Sequence, residues 1–98
     1  MEINKTIEGD SLIIALTGRL DTTTAPELET ELKSSIEGVK TLTLDFANLE
    51  YISSAGLRVL LAAQKIMNTQ GEMSVINVND EIKEVFDITG FNDILTVK

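Results

Sequence analysis

The chain has no cysteine and no histidine among its 98 residues. Without cysteine there is no disulfide framework and no thiol chemistry. Without histidine the commonest general base and the commonest metal ligand are both missing. Tryptophan is absent, and tyrosine and proline occur once each. Cations are scarce: 8 Lys and Arg stand against 16 Asp and Glu, for a formal charge of −8. That balance argues against nucleic acid, whose phosphates need Lys and Arg. Anionic membrane surfaces are disfavoured for the same reason. A partner with a basic patch suits it better, because the charge would steer the encounter. Long apolar runs are lacking as well, none approaching the ~20 residues of a transmembrane helix. Met1-Glu2-Ile3-Asn4-Lys5 lacks the basic start and apolar stretch of a signal peptide. The expectation is a cytoplasmic protein that does not insert into membranes. The acidic residues show no metal-loop spacing, so neither a metal nor a cofactor is expected.

What is present suffices for one core. The hydrophobic fraction is 43 %, ordinary for a globular protein, and the length fits a single domain over residues 1–98. Ile3 and Ile7 sit among polar residues in a weak strand, and Glu8-Gly9-Asp10-Ser11 reads as a turn. Leu12-Ile13-Ile14-Ala15-Leu16 is a continuous apolar run, the pattern of a strand buried on both faces, ending near Gly18. Thr24 with Glu27 has the form of a capping box. Ala25, Leu28, Leu32 and Ile36 then make one helical stripe that stops before Gly38. Thr41 to Phe46 alternates as a strand, and Ala47-Asn48-Leu49-Glu50 reads as a loop. A second helix follows from the serines to about Asn68, with Gly71 as its stop. Met73 to Val78 is the next strand. Asn79 or Asp80 caps a third helix carrying Ile82, Val85 and Phe86 and ending at Gly90. Ile94 to Val97 reads as a final strand.

The predicted order is β-β-α-β-α-β-α-β. Strands that alternate with helices favour parallel pairing through right-handed crossovers. The expected fold is an α/β sandwich, a mixed sheet of about five strands with helices packed on it.

The second helix carries the most distinctive surface. On a wheel at ~100° per residue, Val59, Leu60, Ala62, Ala63, Ile66 and Met67 form the expected core arc. Ser54, Leu57, Arg58, Leu61, Gln64 and Lys65 fall opposite. Ser54, Arg58, Leu61 and Lys65 share nearly one line, with Leu57 beside them. A serine in an apolar and basic strip suits docking by another protein, with Leu57 and Leu61 of the strip contributing ~1.5–3 kcal/mol each when covered. Ser53 or Ser54 also qualifies as a plain helix cap. Gly56 either permits close backbone packing or marks a frayed first turn.

Enzymatic readings fail on geometry. A serine nucleophile without histidine needs a lysine, and Lys65 lies roughly 16 Å from Ser54 along a helix rising 1.5 Å per residue. No phosphate loop of the form G-x-x-x-x-G-K-[ST] occurs. The acidic partners that a receiver-type phosphoacceptor would need around Asp45 are missing.

Leu44-Asp45-Phe46 followed by Tyr51-Ile52-Ser53-Ser54-Ala55-Gly56-Leu57-Arg58-Val59-Leu60-Leu61 resembles the signature of bacterial anti-sigma factor antagonists, the STAS-domain proteins. Leu16-Thr17-Gly18-Arg19-Leu20-Asp21 resembles the second strand and following turn of the same family. The resemblance covers essentially the whole chain and implies a STAS-like sandwich. It implies partner switching, in which the unphosphorylated domain binds an anti-sigma factor and the sigma factor is freed. The partner implied is an anti-sigma factor with GHKL-type serine kinase activity, whose phosphorylation of the domain releases it. A serine phosphatase resets the cycle. Ser54 aligns with the phosphoacceptor, with Ser53 as second choice because it stands where the family often has Asp. Asp21 is placed in the loop near the acceptor. The implied partner-binding residues are Asp21, Ser53, Ser54, Leu57, Arg58, Leu61 and Lys65. The alternative is an unphosphorylated STAS module of a transporter or lipid-trafficking complex.

Overall fold

The computed structural model describes all residues, 1–98. Strand β1 (Glu2–Glu8) turns through Gly9 and Asp10 into β2 (Ser11–Leu20). Gly9 has φ +61°, the left-handed backbone that a two-residue hairpin loop demands. Helix α1 (Ala25–Ser35), β3 (Thr41–Ile52), α2 (Ser54–Gln70), β4 (Glu72–Ile76) and α3 (Asp80–Thr89) follow, with a 3-10 turn at Phe91–Asp93. The four strands lie in the order β1-β2-β3-β4. β1 is antiparallel to β2, and β2, β3 and β4 are mutually parallel neighbours. α1 and α2 are the crossovers that parallel pairing needs.

Period-2 patterning sets the core face of the sheet. Leu12, Ile14 and Leu16 join Leu42, Leu44, Phe46, Met73 and Val75 in one cluster with the buried residues of all three helices. The apolar run of β2 is therefore buried on one face only. Ile13 is 38 % exposed on the other face, beside half-buried Ala15, Thr43 and Ser74. The sheet has a helix-covered face and a bare one.

Three local expectations change. The supposed loop Ala47–Glu50 belongs to β3, which runs on to Ile52. Two register shifts against β2, between Ala15 and Thr17 and between Gly18 and Arg19, absorb the extra residues. Such bulges break alternation without ending a strand, and Asp45 Oδ1 accepts the Ala47 N–H across the first of them at 3.0 Å. The final strand shrinks to a single parallel bridge, Val97 to Val75. The 3-10 turn curls the preceding chain, with Leu95 N donating to Phe91 O at 2.8 Å. The capping box at α1 does not form. Thr24 is in the helical region, φ −100° and ψ −22°, and its side chain makes no cap. Its hydroxyl instead donates to Arg19 O at 2.7 Å and accepts from Asp21 N at 2.8 Å.

The other ends match their punctuation. Asn79 Oδ1 accepts the Ile82 N–H at 2.8 Å, and Gly90 closes α3 in the left-handed conformation. Gly71 ends α2 for another reason. Its backbone is extended, but a Cβ there would collide with the Lys40 carbonyl.

Candidate functional site

Parallel strands β2 and β3 finish side by side. Arg19 is opposite Tyr51 and Leu20 opposite Ile52. Each strand then leads directly towards its crossover helix. Ser53 N donates to Leu20 O at 2.9 Å, so the turn before α1 and the start of α2 form one surface.

The two serines play different parts. Ser53 is the N-cap, with extended backbone at φ −100° and ψ 175°. Its Oγ accepts the Gly56 N–H at 3.4 Å. Ser54 is the first helical residue and is exposed. The first turn of α2 carries no acidic residue, so no carboxylate of the helix itself meets its free N–H groups and the positive end of its dipole. Arg58 is exposed one turn on and takes part in none of the ion pairs.

Gly56 shows why a glycine stands inside this helix. A Cβ there would lie 2.8 Å from Leu20 Cγ and 2.9 Å from Ile52 Cγ1. The missing side chain lets α2 sit down on the ends of β2 and β3. Close packing, not fraying, is its role.

Asp21 organises the neighbouring turn. Its Oδ1 accepts from Thr23 N at 3.0 Å, Thr23 Oγ1 at 2.8 Å and Thr24 N at 3.1 Å. The Thr23 hydroxyl, and after it the Thr24 and Thr23 amides and the Thr24 hydroxyl, hold its carboxyl below the usual range against a smaller opposing push from burial. Arg19 Nε stands 3.8 Å from Asp21 Oδ2. The Arg19 guanidinium also lies 4.2 Å from the centre of the Tyr51 ring. This Arg19–Tyr51 stack escaped the sequence reading, because strand register, which no motif encodes, brings the two together.

The helix wheel needs one rotation. Leu57 is not on the outer strip: it is 6 % exposed and belongs to the core. Gln64 is likewise buried, at 7 % exposure. Ile66, expected inside, is 41 % exposed, and Ala62 is exposed with it. α2 rests on the sheet and α1 together, which turns its Leu57–Leu60–Gln64 side inward. The outward line keeps Ser54, Arg58, half-buried Leu61 and Lys65. A shallow groove of about 220 Å³ adjoins it between the helices, lined by Thr22, Ala25, Pro26, Glu29, Ala55, Arg58 and Val59. No cluster of three or more Asp and Glu side chains is placed to hold a metal ion. No helix is long and apolar enough to cross a membrane.

Comparison with known proteins agrees with the fold. The STAS domain family profile matches residues 2–98. The chain is 41 % identical over 88 residues to BtrV of Bordetella bronchiseptica, a proposed anti-sigma factor antagonist, covering 88 % of this chain and 76 % of that one. It is 29 % identical over 99 residues to the anti-sigma-B factor antagonist of Staphylococcus aureus, covering 99 % and 92 %. Among solved structures, the unphosphorylated anti-sigma factor antagonist SpoIIAA superposes with a TM-score of 0.78 at 17 % identity, over 99 % of this chain and 87 % of that one. The phosphorylated form of Bacillus SpoIIAA gives 0.77 at 18 % identity, over 99 % and 91 %. At that identity the superpositions show the fold, while the family profile and the sequence relatives show descent. The chain belongs to the STAS-domain family of anti-sigma factor antagonists, which are regulators rather than enzymes.

Proposed function

We propose that this protein is a partner-switching antagonist whose switch is phosphorylation of Ser54. Unphosphorylated, it binds an anti-sigma factor through the outer face of α2 and the Asp21 turn, and so frees the sigma factor. That anti-sigma factor is a GHKL-type serine kinase, which modifies Ser54 with ATP and thereby ends the complex. A serine phosphatase restores the binding form.

The observation that carries this reading is the division of labour between the two serines. Ser53 Oγ faces back to the Gly56 N–H as a cap, whereas Ser54 is exposed on the line of Arg58 and Lys65. A phosphate adds ≈ −1.5 to −2 charge at pH 7. At this position it meets free helix N–H groups, so it leaves its own helix folded. Its cost falls on the interface, through bulk, desolvation and repulsion. A loss of ~3 kcal/mol there is more than a hundredfold in affinity.

The test is incubation with ATP and the serine-kinase anti-sigma factors of the source organism. The expected result is a mass gain of one phosphate, kept in Ser53→Ala and abolished in Ser54→Ala. No modification by any of those kinases would reject the switch and leave the reading of an unphosphorylated STAS module. Modification surviving in Ser54→Ala but not in Ser53→Ala would move the acceptor by one residue.

A further inference from the structure

Helix α2 stands apart from the rest of the chain in charge. All 16 Asp and Glu residues lie outside its 17 residues. Its charged side chains are Arg58 and Lys65, both exposed on the outward line that begins at Ser54. No carboxylate lies within ion-pairing distance of either. The carboxylates of the neighbouring turn and helix are engaged elsewhere. Asp21 holds the Thr23 and Thr24 donors through Oδ1 and faces Arg19 through Oδ2. Glu29 Oε1 lies 3.7 Å from Lys33 Nζ.

Arg58 lies towards the start of its own helix. Long helical side chains fold back over the preceding turn, and residues four apart share a face with Cβ atoms about 5–6 Å apart. The groove between α1 and α2 shows the same direction. Arg58 lines it together with Ala55, Thr22 and Pro26, whereas Leu61 and Lys65 do not. Ala55 is in the first turn of α2, and Thr22 is in the Asp21 turn. A guanidinium without an anion is therefore placed beside the turn that begins at Ser54.

We infer that Arg58 is the counter-ion of a phosphate on Ser54 and fixes the modified side chain against α2. This rests on Ser54 as the acceptor of the switch. A phosphate brings three strong acceptor oxygens, and a guanidinium takes two of them in a fork. The anion stands four residues N-terminal to the cation, the favourable order on a helix. Glu29 is the competing carboxylate of the groove, but it bears one charge where the phosphate bears nearly two, and it already has Lys33. Lys65 is about 16 Å from Ser54 along the axis and takes no part. The pairing sharpens the switch. Before modification the proposed docking face offers an unpaired cation beside a hydroxyl. Afterwards that cation is held by the phosphate, so a partner loses Arg58 as well as meeting the new charge.

The test is a phosphorus NMR titration of the full chain with phosphoserine encoded in place of Ser54, which needs no kinase. The same protein carrying Arg58→Gln, Arg58→Lys or Lys65→Gln is titrated beside it. Both positions are exposed, so every variant should fold. Phosphoserine loses its second proton at a pKa of about 6. The value expected in the parent is at least about 0.3 unit below that in Arg58→Gln. Arg58→Lys should fall between them, because it keeps the charge and loses the fork. Lys65→Gln should match the parent within about 0.1 unit, since the distance exceeds the screening length. Equal values in the parent and Arg58→Gln would overturn the inference. So would an equal rise in Arg58→Gln and Lys65→Gln, which would mark a general field and not a pair. The two readings fail separately: kinases that leave Ser54 unmodified reject the switch, whereas an encoded phosphate indifferent to Arg58 rejects the counter-ion alone.

Discussion

Ser53 N and Leu20 O are joined by a hydrogen bond of 2.9 Å, and that bond ties the turn before α1 to the start of α2. Asp21 follows immediately on one side and Ser54 on the other. The separation of cap from exposed hydroxyl predicts different outcomes for neighbouring alanine substitutions. Ser53→Ala should destabilise by about 0.5–1 kcal/mol, the low end for an N-cap because the bond to Gly56 N is long. Ser54→Ala should stay within about 0.5 kcal/mol of the parent. Urea unfolding at neutral pH measures both.

Gly56→Ala sets two effects against each other. Alanine gains about 1 kcal/mol in helix propensity. Its Cβ would press on Leu20 Cγ and Ile52 Cγ1, both well inside contact distance, and overpacking costs about 1–3 kcal/mol. Leu20 is fully buried and has little room to yield. Net destabilisation of about 1 kcal/mol or more is expected by the same measurement.

Leu57 and Leu61 test the rotation of α2. Leu57→Ala empties a core position and should cost about 2–5 kcal/mol. Leu61→Ala removes a half-buried side chain on the outward line and should cost clearly less, while weakening capture of the anti-sigma partner. Equal losses of stability in the two variants would contradict the buried arc described above.

Asp21 predicts a pH dependence. Its folded-state pKa is lowered by the Thr23 hydroxyl and the other Thr23 and Thr24 donors. Its contribution to stability is therefore present above the unfolded value of about 4 and is lost as pH falls through the lower folded value. Stability measured from pH 6 down to about pH 2 should fall more steeply in the parent than in Asp21→Asn. The side-chain carboxyl carbon followed by NMR should titrate below the free aspartate range.

Much of the architecture is written in local patterns. Alternation from Thr41 to Phe46 marks a strand, and the Asn79 and Gly90 caps bound α3 because cap chemistry is local. The failures share a cause in longer-range contacts. Bulges in β3 add residues that simple period-2 counting reads as a loop. Leu95 and Val97 look like a strand, but the curl at Phe91 leaves them only one bridge. Leu57 and Gln64 lie on the less apolar side of α2 as a free helix. They are buried because the helix faces the sheet and α1 together, which no wheel contains. In the candidate site, the motif singles out the Ser53–Ser54 pair and Asp21, whose turns the Ser53 N–Leu20 O bond brings together. The motif gives no sign of the Arg19–Tyr51 stack, because register creates it.

The topology bears on folding order. The β1–β2 hairpin closes through a two-residue turn, so it forms from neighbouring residues. The β2–β3 pair is parallel and must wait for the α1 crossover, a slower closure over a longer loop. The Asp21 turn and the start of α2 are joined only where that pair ends. A chain that has made its hairpin and nothing more has not assembled the proposed recognition surface. The capacity to engage a partner should therefore arise late in folding, together with the parallel half of the sheet, and vanish with it during unfolding.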